Sequence, residues 1–251
     1  MKSVKHISKL LITFGFLLVF TGIFAAAVFD PSNPPPGYVG GLALSTNDLE
    51  YRPATDVDPN PGGGKGYRPW YEAGTYQGDL IEYDIDTSGK LTTTVDFSVS
   101  PPIVPVGGNW SARVLIDAMD WDLDRKIITR NAGQQVAFRW PTFSATQQTD
   151  LDPVTLATDP SSPIVDFLRG DRINEQPVGV LRQRFSAMGD NMHSTPVYVA
   201  QPVRAFSFGN YLTFKANNAS RAPRVYMSSN DVMVHAFDAI TGSEVYAYVP
   251  S

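Results

Sequence analysis

An all-β fold made of propeller-like blades is predicted by three observations. Strand-length segments separated by hairpin-turn residues crowd the C-terminal end, a weaker copy of the same pattern lies near residue 80, and only one short helix candidate stands between them. A blade takes about 40–50 residues, so the stretch 70–251 has room for at most four and is expected to form an incomplete propeller.

Composition sets the outer limits. The chain has 251 residues, 43% hydrophobic and 18% charged, with 20 Gly, 20 Pro and no Cys. That is enough apolar content for a sizeable core and too much for a disordered chain. A net charge of −5 supplies no basic field for phosphates, so no nucleic acid partner is expected. The lack of Cys excludes thiolate zinc sites and thiol catalysis.

Residues 1–27 read as an export signal. Lys2, Lys5 and Lys9 precede an apolar run from Leu10 to Phe29, which contains the small residues Ala25, Ala26 and Ala27 and is followed by the helix breaker Pro31. Cleavage after Ala27 is expected; an uncleaved anchor is the alternative, since about 20 apolar residues can span a bilayer. Either way the chain is exported, to the periplasm, outer membrane or cell surface. Residues 28–69 read as a linker, because Pro34, Pro35, Pro36, Pro59, Pro61 and Gly62 to Gly64 leave few positions able to hold a helix or ladder. Gly41 to Ser45 is the one edge-strand candidate inside it, and the folded domain is expected over 70–251.

Within that domain, Arg224 to Ser228, Val232 to Phe237 and Glu244 to Val249 are three strand-length runs of β-branched and aromatic residues. Ser229-Asn-Asp231 and Ala239 to Ser243 join them, using residues that tolerate the positive φ of tight hairpins. The middle run is apolar on both faces and so should be covered on both. Gly78 to Asp84, followed by Thr87 and Gly89, repeats the order of turn, strand, aromatic-Asp, Thr and Gly. Gln135 to Arg139 and Thr195 to Ala200 are further strands, and Pro163 to Arg169 is the helix candidate. If the ring is open, Val225, Val234 and Val245 should lie on a face meant for the next blade.

Phe167 to Glu175, Met188 to Tyr198, Arg224 through Gly242 and Tyr248 to Ser251 resemble, in order and spacing, the β-propeller of the PilC/PilY family of type IV pilus biogenesis proteins and tip adhesins. Tyr76 to Leu80, and Trp110 to Thr129 with its Arg125, are similar to the first blade of that domain, so the resemblance covers about 70–251. The blade pattern by itself is also similar to quinoprotein dehydrogenases and to outer-membrane assembly propellers. The resemblance implies a non-enzymatic protein of pilus assembly, adhesion or retraction control. Its partners would be pilin or minor pilin-like subunits, the assembly machinery, and the remaining blades as a separate chain. The large N-terminal adhesive region usual in the family is not found before the propeller, and the family's calcium loop belongs to a part beyond Ser251, so no cofactor is expected within 1–251. Asp231-Val232 stands where the family usually has Asp-Gly, which puts a β-branched residue in the last hairpin.

No catalytic residue and no metal ligand is assigned. Of His6, His193 and His235, the first lies in the signal. His193 and Ser194 are chain neighbours that point to opposite faces, and His235 reads as a packed, hydrogen-bonded histidine. Asp117, Asp120, Asp122 and Asp124 form an acidic cluster that starts like a calcium loop, but Arg125 replaces its Gly and Asn131 its bidentate Glu. Gly62-Gly-Gly-Lys65 lacks the strand and helix of a phosphate loop. Trp110, Trp121 and Trp140 do not fall at equivalent blade positions, which argues against a quinone-stacking dehydrogenase. Arg169-Gly170-Asp171 are the candidate receptor-binding residues, as an RGD tripeptide; the competing reading is an internal network with Arg172 and Glu175 that fixes a loop.

Overall fold

The computed structural model describes residues 50–52, 63–72, 75–86, 90, 104, 109–152, 156–158, 160–192, 194–202, 206 and 209–250. Two β-sheets dominate. Strands β1 (Glu50–Arg52), β2 (Gly63–Glu72) and β3 (Gln77–Asp86) form an antiparallel sheet in that order. The second sheet has six strands, β4 (Ile127–Asn131), β5 (Gln134–Ala137), β6 (Val197–Val199), β7 (Arg224–Ser229), β8 (Met233–Asp238) and β9 (Glu244–Tyr248), in the order β5-β4-β9-β8-β7-β6. Its pairs are antiparallel except β4 with β9, which runs parallel. Among the described residues, the short α-helices α1 (Ala112–Asp117), α2 (Ala145–Leu151), α3 (Pro163–Arg169) and α4 (Tyr211–Asn217) stand in the connections. Among the described residues strands outweigh helices and neither sheet closes on itself, as in a partial propeller.

The C-terminal meander forms as its sequence dictates. Asp238 accepts the amides of Ile240 and Thr241, and the Gly242 amide returns to the Asp238 carbonyl, closing the β8–β9 turn. Gly242 is required there twice over: its φ is +74°, and a Cβ would come within 2.3 Å of the Trp110 ring. In the β7–β8 turn Val232 does adopt positive φ, +69°. At the end of β3, the Asp86 carboxylate accepts the amide of Lys90.

One face of the six-stranded sheet is covered by two cores. Val225, Met227 and Phe237 meet Tyr67 and Leu80 of the first sheet and Trp110 before α1. Tyr67 stacks on Tyr198 and also meets Trp110, which in turn meets Phe237. Further along the same face, Ile127, Met233 and Ala247 pack with Phe138, Phe143 and Val165. The cross-strand register places Tyr226, Ala236 and Tyr246 in one row and Val234, Tyr248 and Ile128 in the next, all on the opposite face.

Three expectations change. Within the linker assigned to 28–69, Glu50–Arg52 and residues 63–69 pair as strands, so the sheet begins before residue 70; 28–49 and 53–62 lie outside the described residues. Tyr67 and Trp70, both buried, anchor β2. Val225 is buried against Phe237's face rather than set toward a next blade; Val234 keeps the expected side. α1, α2 and α4 were not expected as helices. Ser111 and Ser144 start the first two by accepting the amides of Val114 and Gln147, and Gln147 completes a capping box with the Ser144 amide. The signal (1–27) and Gly41 to Ser45 lie outside the described residues. Among the described residues, no helix is long and apolar enough to cross a membrane.

Candidate functional site

Four charged side chains are buried together between β4, β8 and β9. Arg125 donates from Nε and Nη2 to the two oxygens of Glu244 at 2.8 and 2.9 Å. Glu244 Oε1 lies 2.7 Å from His235 Nδ1, and His235 Nε2 lies 3.0 Å from Asp231 Oδ2. Alternation along β8 points His235 into the core between Met233 and Phe237, and the β7–β8 turn brings Asp231 beneath it. The Gly189 amide donates to Asp231 at 3.2 Å; a Cβ on Gly189 would meet the Asp231 nitrogen at 2.4 Å, so this backbone approach needs glycine.

The four charges balance as two cations and two anions. A ring that meets a carboxylate at each nitrogen is satisfied when both nitrogens carry protons. Burial opposes that charge, but the Asp231 and Glu244 carboxylates outweigh it and raise His235 to about 9. Burial likewise opposes ionisation of Asp231, and the His235 charge outweighs it, lowering the carboxyl to about 2. Glu244 is lowered to about 2 against its burial by hydrogen bonds from Arg125 and His235. With both nitrogens engaged and 0% exposure, His235 presents no free nitrogen to a substrate. A third buried carboxylate, Asp79, is raised to about 6 by burial, against hydrogen bonds from Ser111 Oγ and the Arg113 amide.

The RGD tripeptide closes α3, and its arginine is turned inward. Arg169 is 1% exposed and donates to the carbonyls of Phe138 at 3.2 Å and Trp121 at 3.1 Å. Its own carbonyl accepts from Arg125 at 2.7 Å. Asp171 Oδ1 accepts the amide of Ile173. The receptor-binding reading of Arg169, Gly170 and Asp171 is therefore corrected: a guanidinium held by interior carbonyls is not displayed to a receptor cleft.

The acidic cluster is a turn whose oxygens are occupied by the chain. Asp120 Oδ1 accepts the amides of Asp122 and Leu123, and Asp124 Oδ2 accepts that of Asp120. These backbone donors lower Asp120 below the usual carboxylate range. Asp122 binds Arg139, and Asp117 accepts from Ser186 and the Ala187 amide. Oxygens held this way do not fit a calcium shell of six to eight convergent ligands. Ser194 shares a hydrogen bond with Ser228, and His193 lies outside the described residues.

The uncovered face of the six-stranded sheet is of another kind. An open groove of about 450 Å³ runs along it, lined by Ile128, Arg130, Tyr226, Val234, Tyr246 and Tyr248. The aromatic and aliphatic side chains here are half-buried rather than covered, and Val197 on edge strand β6, opposite Tyr226, is 51% exposed. Sequence reading found the strands but missed this row and the Arg125–Glu244 pair. A strand beginning at Glu244 and alternating Tyr246 and Tyr248 was the available signal for the row; nothing local marks a pair so far apart in sequence.

A family model described as the PilY1 beta-propeller domain matches residues 170–251. Over 192 residues, 70% of this chain, it is 35% identical to the type IV pilus biogenesis factor PilY1 of Pseudomonas aeruginosa strain PAK, covering 15% of that protein. It is 34% identical over 193 residues, 73% of this chain, to a PilY1 homolog of Xylella fastidiosa, covering 14% of that protein. The chain thus spans about 15% of the length of the curated relatives it matches. No solved structure matches it.

Proposed function

The chain belongs to the PilY1 family of type IV pilus proteins, and from that premise we propose that it is an exported, non-enzymatic component of pilus biogenesis acting through protein contacts of its propeller sheets. The observation that carries this reading is the contrast between the two sides of the six-stranded sheet. Its ionic chemistry is turned inward and paired, while its open face offers tyrosines and aliphatic groups. Aromatic side chains with a polar tip are favoured at protein interfaces, and a propeller blade is completed by a neighbour packed on such a face. Its partners are pilin or minor pilin-like subunits, the assembly machinery, or further blades, at the periplasm, outer membrane or pilus surface. No step uses calcium or another cofactor held by the described residues.

The test is deletion of the gene in its own host, with surface pili counted by electron microscopy. Restoring the wild-type chain should restore piliation, whereas a Tyr246→Glu/Tyr248→Glu chain secreted to the same level should not. Normal piliation in the deletion strain would contradict the proposal.

A further inference from the structure

The segment between α3 and β6 reverses the usual arrangement of a surface loop, with its ions inside and its apolar groups outside. Glu175 is buried and accepts from Arg184 Nε at 2.8 Å and from the Arg184 amide at 3.0 Å. Arg184 also donates to the carbonyls of Phe167 at 2.7 Å and Asp171 at 2.8 Å, and its guanidinium lies 3.6 Å from the centre of the Phe167 ring. The loop is closed on itself by backbone bonds from Leu181 to Asn174, from Gln176 to Leu181 and from Gly179 to Glu175. Against that rigid base, Ile173 is 71% exposed, Val178 88%, Val180 71% and Phe185 69%. Single exposed aliphatics are ordinary; four within thirteen residues, on a loop pinned by a buried ion pair, are not.

Charge adds direction. Although the whole chain carries −5, the exposed charges of this loop are the cations Arg182 and Arg172, the latter 47% exposed and reaching the buried Glu175 at 3.4 Å. Arg182 lies over the ring of Tyr76, itself 63% exposed, which extends the patch beyond the loop.

We propose that the loop 172–185, with Tyr76, is a docking knob for a protein partner that presents an apolar groove rimmed by carboxylates. Arg and aromatic anchors dominate binding energy at such interfaces, and a knob already held rigid loses little conformational entropy on docking. A membrane surface fits less well. Two outward cations fall short of the clusters of about four to eight that hold basic segments on anionic lipid. This inference names surface and partner chemistry and holds whichever pilus component is engaged.

The test uses the full chain and a fluorescein-labelled peptide alternating Leu or Phe with Glu, followed by fluorescence anisotropy, with Gln-for-Glu and Lys-for-Glu peptides as comparators. Saturable binding of the Glu peptide is expected, weakened at least tenfold by Val178→Asp/Val180→Asp and by Arg182→Glu. Leu123→Asp, at an exposed apolar side chain elsewhere, should leave it unchanged. All three variants change exposed residues only, and matching circular dichroism checks the fold. Equal binding of the Lys peptide, no saturable binding, or insensitivity to both loop variants would overturn the proposal. So would sedimentation with phosphatidylglycerol vesicles that depends on the same residues while the peptide fails to bind.

Discussion

Arg125 and Glu244 meet in a two-pronged ion pair at 2.8 and 2.9 Å although 119 positions separate them in sequence. Through this pair the segment leading into β4 is tied to β9, where the two strands run parallel. Glu244→Gln keeps the size of the side chain but leaves Arg125 and His235 without their shared anion. Breaking one partner of a buried pair costs roughly 3–5 kcal/mol. Denaturant unfolding should show a loss of that order, and a loss below about 1 kcal/mol, the range of a surface pair, would mean the network does not hold the sheet together.

The buried ions also set the pH range of stability. Asp231 and Glu244, both lowered to about 2, contribute stability that is present above their unfolded values and lost as pH falls toward 2. His235, raised to about 9, contributes stability that is complete below its unfolded value and lost as pH rises through 9. Asp79, raised to about 6, has the opposite sign to the other two carboxylates, and its contribution declines as pH rises from its unfolded value through 6. Melting temperature should fall on both flanks, and the alkaline fall near 9 should be missing in His235→Gln.

Val232 holds a φ of +69° with a side chain 54% exposed, so its valine gains little from burial and bears the strain of a β-branched residue in the left-handed region. Val232→Gly is expected to stabilise the chain by about 0.5–1 kcal/mol, the relief of strain exceeding the added freedom of the unfolded chain. Thermal denaturation measures it; a destabilised Gly variant would place the strain elsewhere.

Processing of the signal is expected after Ala27. N-terminal sequencing of the exported protein should begin at Val28, and a membrane-embedded product that retains Met1 would establish an anchor instead.

How far the sequence spoke depends on how local each feature is. The β7–β9 meander was legible because Val225 to Met227, Met233 to Phe237 and Val245 to Tyr248 are runs of strand formers bounded by Asn-Asp and Thr-Gly turns. Helix α3 was legible from Pro163 and the Gly170 that ends it. β2 was not, because Gly63, Gly64, Gly66 and Pro69 have low strand propensity and only tertiary burial of Tyr67 and Trp70 makes the segment extended. The same distinction governs the sites. An alternating-charge run such as Arg169 to Glu175 signals a network, but whether Arg169 faces solvent or the Phe138 carbonyl is decided by elements 31 residues apart.

The central claim is that the tyrosine-lined face of the six-stranded sheet is a protein-binding surface in the pilus system. Its most direct measurement is site-specific photocrosslinking in the native host, with a photoreactive amino acid at Val234 and, as comparator, at Leu123. The account predicts a discrete adduct from Val234 whose partner, identified by mass spectrometry, is a pilin-like subunit, an assembly component or a further propeller blade, with none from Leu123. A chain that stays uncrosslinked at Val234 while pili assemble normally would contradict it.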